Sequence, residues 1–236
     1  MIIKEVAIDS DSDVMHAHGF YGEYYCYSKI FQEIIQRIKL MALKHEQILI
    51  LKFDLLFPLG YERDVDTDYD GSNKEISEFF RMFKEDVYSY GIDVQYIWVR
   101  DQSELFLTQH YHCVILLNAS DSDTSIHKNL SVLWSRIVDT SIQGIVRYTK
   151  HDYLGKEGND SIILRRPLLS AKGDELRQQK MEFDYILETC FSWAYDMSRV
   201  NSLSHTPKHI KRFGVSRIPT KDVAEYLMDR GKVYWA

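Results

Sequence analysis

The sequence predicts an α+β fold: an antiparallel sheet of the ferredoxin-like, split βαβ kind, with extra helices before and after it. Two observations carry this expectation. Amphipathic helical stretches and strand-length apolar runs follow one another in the order helix, then β-α-β-β-α-β. Two of the runs, "IDVQYIWVRDQ" and "QHYHCVILLN", are separated only by the short "SELFLT". They are therefore expected to form a hairpin, which makes the sheet antiparallel. In such a four-stranded sheet both helices of the repeat lie on one face, and the other face is expected to stay open for a ligand.

Taken in order, "SKIFQEIIQRIKLMALKH" places Ile30, Phe31, Ile34, Ile35, Ile38 and Met41 at helical spacing. "QILILKFDLLF" is a continuous apolar run of strand length, expected at the centre of the sheet. "PLGYERDVDTDYDGSN" reads as a loop. Its alternating Asp64, Asp66, Asp68 and Asp70 lack the glutamate that a calcium loop needs at its twelfth position, so calcium is not the expected ligand. "NKEISEFFRMFKEDVYSYG" reads as a helix stopped by Gly91. The hairpin follows, then a helix in "TSIHKNLSVLWSRIVD" and a strand in "IQGIVRYTKHDY". Beyond these come a basic connection, "RRPLLSAKGDE", and a long helix, "LRQQKMEFDYILETCFSWAYDMSRV". A loop, "NSLSHTPKHIKRFGVSRIP", precedes a last helix, "KDVAEYLMDRGK".

This organisation divides the chain into an N-terminal extension over 1–29, a core over 30–165, and a helical, basic region over 166–236 that completes the same domain. The extension carries Tyr21, Tyr24, Tyr25 and Tyr27. No stretch approaches the roughly 18 apolar residues that span a bilayer. "MIIKEVAIDSDSD" lacks the basic-then-apolar layout of a signal peptide. Cys26, Cys113 and Cys190 are far apart and odd in number, which suits reduced thiols and disfavours a cysteine zinc site. A cytoplasmic protein with no membrane partner is expected. The net charge of −6 is unevenly spread: residues 1–164 sum to −10 and residues 165–236 to +4. An acidic body with a basic last third can bind a polyanion locally, or simply carry a solvated surface.

The chemistry concentrates in the hairpin. In an extended strand His110 and His112 project from the same face, side by side. That geometry suits two imidazoles gripping one metal ion, and equally suits two partly exposed histidines with no chemical role. The partner strand ends in Arg100-Asp101, and Asp101 can complete a mixed nitrogen and oxygen site suited to Mg²⁺ or Mn²⁺ acting on phosphate. Asp54, on the core strand before them, is a further candidate ligand. It has an alternative reading as a carboxylate hydrogen-bonded within the sheet.

His-x-His on the central hairpin of a split βαβ sheet resembles the HUH endonucleases, the rolling-circle replication initiators and relaxases. More narrowly, the chain resembles the inovirus-type replication proteins, whose prophage members include the C-terminal domains of YagK and YfjJ. Four stretches carry the likeness: "ILKFDLLFP" (50–58), "QYIWVRDQ" (95–102), "HYHCVILLN" (110–118) and "KRFGVSR" (211–217). The resemblance implies a Rep-type sheet whose metal, held by His110, His112 and Asp101, polarises a phosphate of single-stranded DNA. Asp101 stands where the family usually has the longer Glu.

The resemblance also implies a tyrosine nucleophile that leaves a 5′-phosphotyrosine link and a free 3′-OH. The family places Tyr-x-x-Lys on the helix before Phe-Gly-x-Ser-Arg. The matching region here offers Tyr195, with Ser198 at the lysine position and Arg199 one residue later, still on the same helix face. Arg199 can bind a phosphate but cannot give up a proton as lysine does. Tyr153 is the rival, because Tyr153-Leu-Gly-Lys156 matches the motif literally but lies before the long helix. Lys208, Lys211, Arg212 and Arg217, interleaved with Phe213, suit a strand of DNA passing the site, and Arg165 and Arg166 extend that path. A solvated basic loop is the plain alternative. The implied partners are single-stranded DNA and host or phage replication proteins. Two functions follow: an HUH nicking enzyme of a phage, prophage or satellite element, or a fold relative that binds DNA or host proteins without cutting.

Overall fold

The computed structural model describes residues 7–8, 14–19, 22–58, 61, 72–101, 109–118, 125–149, 151–153, 156–159, 161–199 and 209–218. Of these, 7–8, 14–19, 22–24, 125, 151–153 and 156–159 are described by their backbone. In chain order the elements are β1 (Ala7–Ile8), β2 (Val14–Gly19), β3 (Gly22–Tyr27), α1 (Ser28–Lys44), β4 (Gln47–Leu56), α2 (Lys74–Ser89), β5 (Val94–Asp101) and β6 (His110–Leu117). They continue with α3 (Ser125–Ile137), β7 (Val146–Tyr148), β8 (His151–Tyr153), β9 (Lys156–Asn159), β10 (Ser161–Arg165), α4 (Gly173–Ser198) and β11 (Phe213–Val215).

The fold is α+β, built on a six-stranded antiparallel sheet in the order β10-β4-β6-β5-β11, with β7 also paired to β4. β10 pairs with Gln47–Leu51 and β7 with Phe53–Leu55, so the two share one edge of β4. The path β7-β4-β6-β5 is the split βαβ order read from the sequence, with β6 antiparallel to both neighbours. Helix α2 crosses from β4 to β5 and stops where expected. Gly91 takes φ 72°, and the amides of Gly91 and Ile92 close on the carbonyls of Tyr88 and Val87.

One expectation is corrected: the second face of the sheet is not open. Leu49, Leu51, Phe53 and Leu55 of β4 point to α2 and α3, meeting Phe79, Phe80, Leu130 and Trp134. Ile48 and Ile50, with Ile97, Val99, Val114 and Leu116, point the other way. There α1 lays down Ile30, Ile34, Ile38 and Met41, and α4 adds Phe183, Ile186, Leu187, Cys190 and Trp193. The physical reason lies in "QILILKF" itself, because a strand apolar at consecutive positions has two faces to bury. The helices flanking the core supply the second cover, and the sheet becomes the middle of three layers.

Other boundaries also move. The stretch expected as one strand over 142–153 divides into β7 and β8, and β8 pairs with β9. The N-terminal extension forms a three-stranded sheet, β1-β2-β3. The basic connection begins with the end of β10, and the Phe-Gly-Val of the predicted loop is the edge strand β11. The predicted last helix, the Asp64–Asp70 loop and Lys208 lie outside the described residues. Among the described residues no helix is long and apolar enough to cross a membrane.

Candidate metal centre

Strand β6 lies between β4 and β5, and this position builds the site. Along its ladders His112 is opposite Asp54 of β4, and His110 is opposite Asp101 of β5. The two-residue spacing puts both imidazoles on the face covered by α1 and α4, beyond the apolar rows that the helices occupy. Each flanking strand then offers one carboxylate to them.

The groups meet closely. His112 Nε2 is 3.1 Å from Asp101 Oδ2, and His110 Nε2 is 3.6 Å from the same oxygen. The two imidazole centroids are 4.9 Å apart, nearly perpendicular. One ligand atom from each of Asp101, His110 and His112 falls within 4.8 Å of the others, so a single ion can bind all three. Asp101 Oδ1 is buried and, among the described residues, accepts no hydrogen bond. A buried carboxylate oxygen left without a donor is costly, and a cation answers that cost. Two imidazoles and a carboxylate fit a divalent metal with remaining open positions. Asp54 takes a different place: its Oδ1 lies 2.6 Å from His112 Nδ1, the nitrogen turned away from Asp101. A carboxylate on Nδ1 fixes the ring and leaves Nε2 for the metal, the usual support for a metal-binding histidine.

Without a metal, His112 is an imidazolium between two carboxylates, each accepting one N–H. Burial works against its charge, but the hydrogen bonds to Asp101 and Asp54 outweigh burial and hold its pKa up at about 9. Burial likewise works against the Asp54 carboxylate, and its hydrogen bond from His112 brings the pKa below the usual carboxylate value.

A group absent from the sequence-derived candidates stands beside this centre. Lys52 is two residues before Asp54 on the same face of β4, 9% exposed, with Nζ 3.8 Å from Asp196 Oδ2 and over the Trp193 ring. Burial lowers its pKa, opposed by the charges of Asp196 and Asp54. A lone lysine inside "LILKFDLLF" was the available signal, since a charge in a buried strand needs a partner.

The candidate nucleophiles are placed differently. Tyr195, on the last turn of α4, is 8% exposed and stacks on Phe31 of α1 with centroids 4.6 Å apart. Its hydroxyl is buried and has no hydrogen-bond partner among the described residues. Burial, reinforced by Cys26, raises its pKa. Arg199 pairs with Asp196 at 2.8 Å, so Lys52 and Arg199 converge on one carboxylate at the end of α4. Tyr153 and Lys156 are cross-strand partners in the β8-β9 hairpin, not neighbours on a helix.

The basic residues separate into two groups. Arg166 donates to the Leu43 carbonyl at the end of α1, and Arg165 donates to Gln47 at the far end of β4. That end is seven residues from Asp54, about 23 Å along an extended strand. Lys211 and Arg212 are exposed beside β11. The Arg212 carbonyl accepts from the Arg100 amide at 2.8 Å, one residue before Asp101. Arg217 is exposed just past β11.

Ser216 of the same motif has a structural duty. Its hydroxyl donates to Gln95 Oε1 and accepts from Arg37 Nε and the Tyr96 amide, and its carbonyl accepts from Arg37 Nη2. Through these contacts the buried Arg37 of α1 fastens the edge strand.

Comparison with known proteins gives one match. The family described as the YagK/YfjJ C-terminal domain matches residues 10–159, which include β4, β5, β6 and all four residues of the His–Asp cluster. No curated protein and no solved structure matches the chain.

Proposed function

The chain belongs to the YagK/YfjJ C-terminal domain family, and from that premise we propose that it is an HUH-type, divalent-metal-dependent endonuclease that nicks single-stranded DNA for a phage, prophage or satellite element. The observation that carries the reading is the convergence of Asp101, His110 and His112 on one point, with Asp54 behind His112. When bound, Mg²⁺ or Mn²⁺ supplies Lewis-acid polarisation of a phosphate oxygen.

The chain's own residues do the rest. Asp54 keeps a proton on His112 Nδ1 and so turns Nε2 toward the site. The Tyr195 hydroxyl gives up its proton and its oxygen attacks phosphorus. The bond to the 3′-oxygen breaks, leaving a 5′-phosphotyrosine. That oxygen takes up from solvent a proton equivalent to the one the phenol released to it, giving a free 3′-OH. The Tyr195 ring, stacked on Phe31 here, brings its hydroxyl into line when DNA enters, and Arg199 exchanges Asp196 for phosphate.

The test is a denaturing gel of 5′-labelled and 3′-labelled single-stranded DNA incubated with Mn²⁺. A protein–DNA adduct is expected from the native chain and not from Tyr195→Phe. An adduct that persists in Tyr195→Phe and disappears in Tyr153→Phe moves the attack to Tyr153. No adduct with any divalent ion overturns the nicking reading.

The buried, stacked Tyr195 favours a second reading, in which the fold binds DNA or a host protein without cutting it. That reading requires metal-independent binding and no adduct.

A further inference from the structure

A groove of about 760 Å³ runs along the edge strand β11, between the first turns of α1 and α2. We propose that it is a nucleotide-binding channel for single-stranded DNA, in which bases stack on Tyr27 and Phe213 while Lys29, Lys211 and Arg212 bind the phosphates. This rests on the DNA reading given above, but not on whether the chain cuts DNA.

Three observations favour that occupant. The first is charge. Lys29, Lys211 and Arg212 are exposed, and among the described residues none of them pairs with a carboxylate. Arg212 instead lies over the Tyr27 ring, 4.9 Å from its centroid. Glu33, the carboxylate that lines the groove, is already held by Arg37. The wall therefore presents a positive surface to an incoming anion, and α1 brings no acidic residue in its first turn to oppose it.

The second observation is the aromatic lining. Tyr27 and Phe213 are half-buried against the core, and both line the groove. Cations interleaved with aromatic faces suit a polyanion with flat bases, and stacking tolerates any base. The volume lies within the roughly 300–1,000 Å³ of sites that enclose small organic groups.

The third is position. The groove follows β11, whose ladder with β5 continues through the contact between the Arg212 carbonyl and the Arg100 amide. The next residue of β5 is Asp101, so a strand lying in the groove is led to the metal centre.

The experiment measures binding alone, by fluorescence anisotropy of a labelled single-stranded dodecamer in EDTA, which keeps it independent of the nicking test. The native chain is compared with Lys29→Gln/Arg212→Gln, with Phe213→Ala, and with Lys128→Gln/Arg136→Gln, which removes two exposed charges from α3. Circular dichroism confirms that each variant is folded. The groove double variant is expected to bind at least tenfold more weakly, with the slope of log K on log salt reduced by about 1.4, or 0.7 for each lost phosphate contact. Phe213→Ala, and an abasic dodecamer with the native chain, are each expected to bind at least fivefold more weakly. The α3 variant is expected to bind as the native chain does. The proposal is overturned if the native chain does not bind the dodecamer. It is also overturned if the groove and α3 variants lose affinity equally, or if removing bases or Phe213 changes nothing. Absence of an adduct in the nicking test, with this pattern intact, removes the enzyme and leaves the channel.

Discussion

Asp54 accepts a hydrogen bond from Nδ1 of His112 at 2.6 Å, from the strand on the opposite side of β6 to Asp101. One imidazole is thereby gripped at both nitrogens by carboxylates from the two neighbouring strands. The carboxylate on Nδ1 sets the ring orientation, and the one on Nε2 shares the point where an ion would bind.

Asp54→Asn is therefore expected to weaken Mn²⁺ binding by about 10- to 100-fold, the range for losing a supporting partner of a metal-binding histidine. Asp101→Asn should weaken it further, because a ligand is lost and not only its support. Calorimetric titration of the two variants against the native chain gives the order. Equal, unchanged affinity in both would show that Asp54 and Asp101 do not serve the metal.

The His112 pKa near 9 sets the pH behaviour of the metal-free chain. A histidine whose folded pKa exceeds its unfolded value of about 6.5 contributes stability that is fully present below pH 6.5 and lost as pH rises through 9. The melting temperature without metal is expected to fall over that window, and His112→Gln should flatten the fall. Mn²⁺ affinity should rise over the same window, as the competing proton leaves His112. Melting curves in EDTA from pH 6 to 9.5 check the first point; a native profile matching His112→Gln would contradict it.

Ser216→Ala removes a hydroxyl that serves Gln95, Arg37 and the Tyr96 amide at once. Leaving these buried groups without a partner costs about 1–3 kcal/mol. A melting temperature within a degree of the native value would show that the hydroxyl does not fasten β11.

Gly214 faces Trp98 across the β5-β11 ladder, and a Cβ there would come within 2.4–2.5 Å of the indole. Gly214→Ala must push either the ring or the edge strand aside, at a cost of about 1–3 kcal/mol. Intrinsic tryptophan fluorescence should shift with it. A variant as stable as the native chain, with an unchanged spectrum, would mean that Trp98 does not lie across the strand.

Much of this was legible in the residues. Period-2 projection placed His110 and His112 together, and the hairpin brought Asp101 to them. The strand order follows from the alternation of helices and apolar runs. Two features were harder to read. The covered second face is implicit in "QILILKF", but local periodicity does not say which distant helix will cover it. The role of Lys52 depends on Asp196 and Trp193, which lie more than a hundred residues away in sequence. The Gly and Ser of "KRFGVSR" read as parts of a basic loop, although Trp98 and Arg37 give them packing and hydrogen-bonding duties. Such duties are set by tertiary neighbours.

The most direct measurement is a calorimetric titration of the metal-free chain with Mn²⁺ at pH 8, repeated on His110→Ala and His112→Ala. The expected result is one ion per native chain, with the binding lost in both variants while their circular dichroism stays native. A native chain that takes up no ion, or histidine variants that bind it equally well, would contradict the assignment of Asp101, His110 and His112 as a metal centre.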